Sequence, residues 1–429
     1  MDTIFALTSA RGKAGVAVIR VSGPNAFSAV QRIAGTLPQH RRASLRRLKD
    51  GSDNTLDRGL VLTFPAGHSF TGEDVAEFQT HGSPAVVAAV LETLGALGGL
   101  RLAEPGEFTR RALENECLDL AQVEGLADLV DAETEAQRRQ AQRVFEGRLG
   151  DRVAVWRRDL VRAAALIEAG IDFADEEVPG DVHREASGLL RDVRASLRTE
   201  TDGVEVAERV RDGFEVALVG APNVGKSTLL NYLAGRDVAI TSEIEGTTRD
   251  VVEVRADLDG LPVTFLDTAG IRETADVIEK IGVERSQTRA ESADLRIFLI
   301  GRDGAMPNVR MEADDIVLAA KSDLGAGDRP GVSGLTGDGV EAMIAQVTQT
   351  FGDRALLVGA ATRFRHKAAI MQASAAVDDS LAVLDACDLQ PELAAEELRH
   401  AITSLDSLIG KVGVEQLLDE IFSSFCIGK

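Results

Sequence analysis

Two hydrophobic rhythms divide this chain. From residue 126 to residue 171 the stretch "LADLVDAETEAQRRQAQRVFEGRLGDRVAVWRRDLVRAAALIEAGI" returns apolar residues at helical spacing with no proline to interrupt it, which predicts long helix. Leu398, Ile402, Leu405 and Leu408 repeat that spacing far downstream. Between the helical regions the pattern changes to short apolar, β-branched runs. Phe214 to Val219 reads as a strand, followed by a tight turn and a helix from Lys226. Residues 261–270, "LPVTFLDTAG", and residues 314–323, "DDIVLAAKSD", read as further strands. Near the end, "VEQLLDEIFSSF" is amphipathic, with Leu417, Leu418, Ile421, Phe422 and Phe425 able to grip a helical domain.

At 429 residues the chain is long enough for two or three domains, each with its own core. Aromatic residues are 4% of the chain, so that core is one of Leu, Val, Ala and Ile. The start "MDTIFALTSARGKAG" lacks the basic and apolar regions of a signal peptide, and no stretch approaches the ~18 uncharged apolar residues of a membrane helix. A cytoplasmic protein with no membrane contact is expected. Cys117, Cys387 and Cys426 lie far apart without a C-x-x-C pair, which points to reduced thiols rather than a disulfide framework or zinc site. The net charge of -22 argues against non-specific nucleic-acid binding, so an RNA partner must meet local basic patches. "HRRASLRRLK", residues 40–49, is one candidate; the plainer reading is a solvated loop.

"GAPNVGKS" places Gly220, Gly225, Lys226 and Ser227 in the G-x-x-x-x-G-K-S frame, between strand and helix, where a P-loop requires it. Its backbone N–H groups and the helix N-terminus suit the β-phosphate, Lys226 suits the β/γ oxygens, and the Ser227 hydroxyl suits Mg²⁺. Asp267 and Gly270 arrive at the metal and γ-phosphate on the 261–270 strand, and Thr248 in "TSEIEGTTRD" can give a second hydroxyl to Mg²⁺. Asp323 can accept from guanine N1 and N2, a donor pair adenine lacks, and Ser333 in "GVSGL" stands where a last base-contacting loop belongs. The nucleotide is therefore GTP. Its binding set is Asn223, Val224, Gly225, Lys226, Ser227 and Thr228; Ser242, Glu243, Ile244, Glu245, Gly246, Thr247 and Thr248; Asp267, Thr268, Ala269 and Gly270; and Lys321, Asp323 and Ser333. The usual N-K-x-D carries Ala320 at its Asn position. Losing that amide removes about 0.5–1.5 kcal/mol, so guanine preference with modest affinity is expected.

Ile271 occupies the place where a Ras-like enzyme carries its water-orienting Gln. Glu273 and Glu279 are the candidate replacements, against the reading that both are exposed helix carboxylates. No arginine finger is evident, although Arg249 and Arg272 flank the two switch segments; a monovalent cation beside Asn223 is another way to supply the charge.

With these motifs in place, the chain resembles the MnmE (TrmE) family of tRNA modification GTPases over nearly its whole length. "DTIFALTSARGKAGVAVIRVSG", "SFTGEDVAEFQTHG", "RLAEPGEFTRRALENECLDLAQVEGLADLVDAET", "IDFADEEV", "GAPNVGKSTLLN", "EGTTRD" and the terminal "FCIGK" resemble that family's motifs in its order. The resemblance implies a multidomain α/β and all-α fold: an N-terminal tetrahydrofolate-binding and dimerisation domain over 1–116, a discontinuous helical domain over 117–211 and 355–429, and a Ras-like G domain inserted at 212–354. It implies a homodimer in which K⁺, held by Asn223, Ser242, Ile244 and Thr247, fills the arginine-finger role. Ser227 and Thr248 become the Mg²⁺ ligands and Glu279 the water-orienting catalytic residue.

The implied activity, shared with the FAD protein MnmG (GidA) in a heterotetramer or larger complex, is modification of the tRNA wobble uridine U34 at C5. Aminomethyl or carboxymethylaminomethyl groups result, from a one-carbon unit on 5-formyl- or 5,10-methylene-tetrahydrofolate. Arg20, Glu77, the position of Cys117 and Lys429 would line the folate pocket. Cys117 stands where the family usually has a basic residue. Without the resemblance, Arg20 reads as a surface ion-pair partner and Glu77 as a strand-edge carboxylate. The tail "CIGK" has Gly and Lys where a prenylation box needs other residues. Cys426 is then either a nucleophile in the one-carbon chemistry or a thiol that orders the tail. Rival readings are a GTP-switched RNA or ribosome assembly factor and a signalling GTPase.

Overall fold

The computed structural model describes all residues except 1, 173–181, 237, 241–252, 268–287, 308, 326–328, 357–358, 387–390, 413–417, 419–420, 423–424, 426–427 and 429. The chain divides into two compact units, one of residues 1–127 with 406–429 and one of residues 128–405.

The first unit is built on a six-stranded sheet of β1 (Thr3–Leu7), β2 (Ala14–Ser22), β3 (Ser44–Lys49), β4 (Thr55–Phe64), β5 (Val75–Gly82) and β6 (Leu100–Leu102), in the order β3-β4-β5-β2-β1-β6. Ile19, Val21, Leu48, Val61, Ala76 and Phe78 alternate onto one face. That face is buried beneath α1 (Ala26–Ala34) and α2 (Pro84–Gly95), as period-two patterning requires. Residues 44–49, which read as part of a loop, form the edge strand, because Leu48 reaches this core.

On the other face Ile4, Ala6 and Phe108 of α3 (Glu107–Glu114) make a smaller core with Phe70. An ion cluster with Arg111, Glu73 and Glu107 at its largely buried centre fastens it. The Arg111 guanidinium meets Glu107 at 2.9 Å, Glu73 at 3.1 Å and Asp2 at 2.8 Å, and Arg101 meets Glu107 at 2.6 Å. Burial pushes the Glu107 carboxyl up, but hydrogen bonds from Arg101, the Glu104 backbone and Arg111 outweigh it and hold that carboxyl below the usual range. Hydrogen bonds from Arg101 and Arg111 lower Asp2 likewise. A depressed carboxylate contributes stability above its unfolded pKa and loses it as pH falls through the folded one. Denaturant unfolding should therefore show the wild type losing more stability than Arg101→Gln as pH falls below about 4.5.

The C-terminal segment belongs to this unit. Phe422 and Phe425 are buried against Val123 of α4 (Leu120–Asp131), with Leu113, Leu118, Ala127, Leu418 and Ile421 packed around them. Gly428 has φ +107 and lies so close to β1 that an added Cβ would stand 2.2 Å from the Leu7 carbonyl oxygen, so only glycine fits there.

In the second unit the long helical pattern is broken twice. A Thr134–Gln137 capping box starts α5 (Glu135–Phe145), and a turn at Glu146–Gly147 separates it from α6 (Arg148–Asp172). Leu149, Val153, Trp156, Leu160, Ala163 and Ile167 form the buried stripe of α6. It packs on α7 (Val182–Asp202), which also meets α11 (Phe364–Asp385). In α12 (Pro391–Leu408), Leu398 and Leu405 are fully buried and Ile402 half-buried, as the spacing predicted.

The G module follows α8 (Val204–Asp212). Its sheet joins β7 (Phe214–Gly220), β8 (Glu253–Leu258), β9 (Leu261–Asp267), β10 (Leu295–Ile300), β11 (Ile316–Ala320) and β12 (Gly331–Val332) in the order β12-β11-β10-β7-β9-β8. Only the β8–β9 pair is antiparallel, and α9 (Lys226–Ala234) and α10 (Val340–Ala355) pack on its core. The module is joined to the helices by contacts. Ala136 donates its N–H to the Gly260 carbonyl at 2.9 Å, Gln137 donates to the Arg211 carbonyl at 2.8 Å, and Arg209 pairs with Asp294 at 2.8 Å. Gly260 lies in the turn between β8 and β9, so helix α5 touches that strand pair.

Candidate functional site

Buried Val216, Leu218 and Val219 make β7 an interior strand, and its loop delivers Gly225, φ +122, to the N-terminus of α9. Asn223 is held at φ +61, a conformation non-glycine residues rarely adopt. The backbone thus turns about the space where a β-phosphate belongs. Lys226 is 5% exposed, and its ammonium donates to the carbonyls of Gly220 at 2.8 Å and Ala221 at 3.1 Å. Burial pushes its pKa down, against the pull of Asp267. The Ser227 hydroxyl donates to the Asp267 carboxylate at 2.6 Å. Two hard oxygen ligands from separate elements therefore meet at one point, which suits Mg²⁺.

Beside the loop lies a cavity of about 400 Å³ lined by Val224, Thr228, Leu299, Ala320, Lys321, Asp323, Ser333 and Leu335 among others. Lys321, at φ +57, lays its stem along Gly225 and donates from Nζ to the Asn223 carbonyl at 2.9 Å. One tie between the Lys321 segment and the P-loop is thus present although Ala320, 7% exposed, offers no amide. The Ser333 hydroxyl accepts the N–H groups of Leu335 and Thr336, so it shapes the last loop. Leu299 and Leu335 were not singled out from sequence; the fold alone brings them to this cavity.

In the first unit Arg20 stands directly opposite Glu77 in the β2–β5 ladder, and their side chains pair at 3.0 Å. Glu77 is not at a strand edge: β5 lies between β4 and β2. The Arg20 guanidinium lies 5.4 Å from the Phe70 ring and 5.6 Å from the Phe108 ring. Cys117 is exposed, its thiol donating to the Asn115 carbonyl at 3.7 Å, and its sulfur lies 3.0 Å from where a Cβ on Gly72 would stand. The loop carrying Phe70 and Gly72 therefore touches both predicted positions. An apolar cavity of about 440 Å³, with Leu7, Arg11, Val87, Leu91 and Leu102 in its wall, lies elsewhere in this unit; neither Arg20 nor Glu77 lines it. Gly428 abuts the same Leu7.

Several predicted residues lie outside the described ones: Ser242, Glu243, Ile244, Glu245, Gly246, Thr247 and Thr248; Thr268, Ala269 and Gly270; Glu279, Cys426 and Lys429.

Two family models match the chain, the GTP-binding protein TrmE N-terminus over residues 3–117 and the MnmE helical domain over residues 120–426. The chain belongs to the MnmE family. The tRNA modification GTPase MnmE of Cereibacter sphaeroides (strain ATCC 17029 / ATH 2.4.9) is 60% identical over 100% of both chains, and that of Dinoroseobacter shibae is 59% identical over 100% of both. Among solved structures, the FeoB G-domain from Methanococcus jannaschii is similar over 33% of this chain and 98% of its own, at 24% identity and a TM-score of 0.26. The MnmE-family fold is present in its N-terminal α/β part, its helical part and its nucleotide-binding sheet. Among the described residues, no helix is long and apolar enough to cross a membrane.

Proposed function

We propose that this member of the MnmE family is a potassium-dependent GTP hydrolase of the cytoplasm that, with MnmG, modifies C5 of the tRNA wobble uridine using a tetrahydrofolate one-carbon unit. The GTPase and tRNA-modification parts are those for which its full-length relatives are named. One observation carries the reading: Ser227 and Asp267 converge at 2.6 Å under a P-loop whose lysine is already buried, in a chain of that family.

The chain's own residues divide the work as follows. Lys226, Gly225 and the α9 N-terminus bind and orient the phosphates, and Asp323 reads the base. Ser227, with Thr248, would hold Mg²⁺; Asn223, with Ser242, Ile244 and Thr247, would hold K⁺. When bound, the two cations would supply the positive charge for which the sequence shows no evident arginine finger. Glu279 would hold the attacking water. Arg20 and Glu77, beside two aromatic rings, offer a cation for carboxylates and an acceptor for pterin N–H groups, a donor set that suits a folate, with Lys429 completing it. Cys426 serves the one-carbon step. The domains would fall at 1–116, 117–211 with 355–429, and 212–354, in a homodimer.

Turnover should depend on protein concentration and fall at least tenfold when Na⁺ replaces K⁺, a transition-state loss of about 1.4 kcal/mol. Equal rates in Na⁺ would refute the potassium role. Loss of the C5 modification from total tRNA of a deletion strain tests the remainder; unchanged nucleosides would favour the assembly-factor or signalling alternatives.

A further inference from the structure

The chain carries 69 acidic against 47 basic residues, so its overall field repels RNA, and contact with a tRNA must come from a local surface. The β3–β4 hairpin is such a surface. Arg41, Arg42, Arg47 and Arg58 gather on and beside it, and among the described residues none makes an ion pair within 4.0 Å. The hairpin's own carboxylates are committed elsewhere. Asp50 accepts from Ser52 and Asn54, Asp53 pairs with Lys49, and Asp57 is taken by the N–H and ring of His81.

Arg47 and Arg58 are exposed and stand directly opposite each other in the ladder, an arrangement that like charges disfavour. Blunting an edge strand accounts for charge on β3, but Arg58 lies on the second strand, where no edge needs protection. The register also fixes their side. Leu45 opposes Leu60, Leu60 opposes Gln79, and Leu62 opposes Glu77, which opposes Arg20. Period-two alternation therefore puts Arg47, Arg58, Glu77 and Arg20 on the sheet face that α1 and α2 leave uncovered.

We propose that this arginine face of the β3–β4 hairpin binds the phosphate backbone of the tRNA, on the same sheet face as the Arg20–Glu77 pair. The inference rests on the tRNA reading above and adds where the RNA sits.

The test uses the full-length protein and a labelled, unmodified tRNA transcript, with affinity measured across a KCl series. Each lost phosphate contact lowers the slope of log K against log salt by about 0.7–0.9, so Arg47→Gln/Arg58→Gln should lower it by about 1.4–1.8 and weaken binding about 25–60-fold at 0.1 M. GTP turnover should stay at the wild-type rate, reporting a folded chain, and Arg47→Lys/Arg58→Lys should keep the wild-type slope. Arg310→Gln, an exposed site on the other unit, should change nothing. If the double variant does not fold, Arg58→Gln alone should give about half the slope change. An unchanged slope overturns the proposal. So does wild-type RNA affinity combined with altered dimer dissociation, which would give the face to a second copy. A wild type with no affinity for tRNA sinks the substrate reading itself, before any variant is made.

Discussion

Lys226→Ala is expected to lower GTP turnover by about 10²–10³-fold or more, the loss typical when a preorganised donor is removed from a developing negative charge. The ammonium sits at the first residue of α9, almost fully buried, with two P-loop carbonyls fixing its direction. Burial alone would favour the neutral amine, and Asp267 opposes it. A triphosphate adds further negative charge at the same place, so nucleotide binding and protonation of Lys226 reinforce each other. The truncation leaves the Gly220 and Ala221 carbonyls without that donor, which costs stability by about 1–3 kcal/mol. Thermal unfolding must therefore be measured beside turnover. A folded Lys226→Ala protein that still hydrolyses GTP within tenfold of wild type would remove the P-loop from the mechanism.

That site was legible because its chemistry is contiguous. Gly220 to Ser227 carries the strand end, the turn and the helix start in one stretch, and local sterics fix the loop once β7 and α9 form. The Arg20–Glu77 pair is different: 57 residues separate its members, and only the strand order β3-β4-β5-β2 makes them neighbours. Without the family resemblance Glu77 reads as an edge carboxylate, because period-two alternation does not say which strands flank which. The same blindness hid the hairpin at 44–64, where Arg46, Arg47 and Arg58 masked Leu48 and Val61. Helix breaks were also missed, since a capping box inside an unbroken apolar rhythm is a weak signal beside the rhythm itself. The contact of Ala136 with Gly260 joins residues far apart in the chain, so no local pattern could announce it. It holds the β8–β9 pair against a helix outside the nucleotide-binding sheet.

Arg111→Ala is expected to destabilise the first unit by about 3–5 kcal/mol, the range for stripping one partner from a buried ion cluster. The Arg111 side chain is 7% exposed, and the Glu73 and Glu107 side chains it serves are each 11% exposed. Burial works against its charge, yet Glu107 and Glu73 outweigh that and raise its pKa. Deletion leaves both carboxylates in a poorly solvated site, with Arg101 able to reach only Glu107. The effect should travel to the proposed folate positions. Glu73 accepts from Ser22, which also bonds Thr71, so Arg111 holds the 69–74 segment that sets Phe70 against Arg20. Hydrogen exchange should accordingly rise across β1, β2 and residues 69–74 while GTP turnover per folded molecule stays unchanged. A loss under about 1 kcal/mol would mean that water reaches these carboxylates and that the cluster behaves as a surface network.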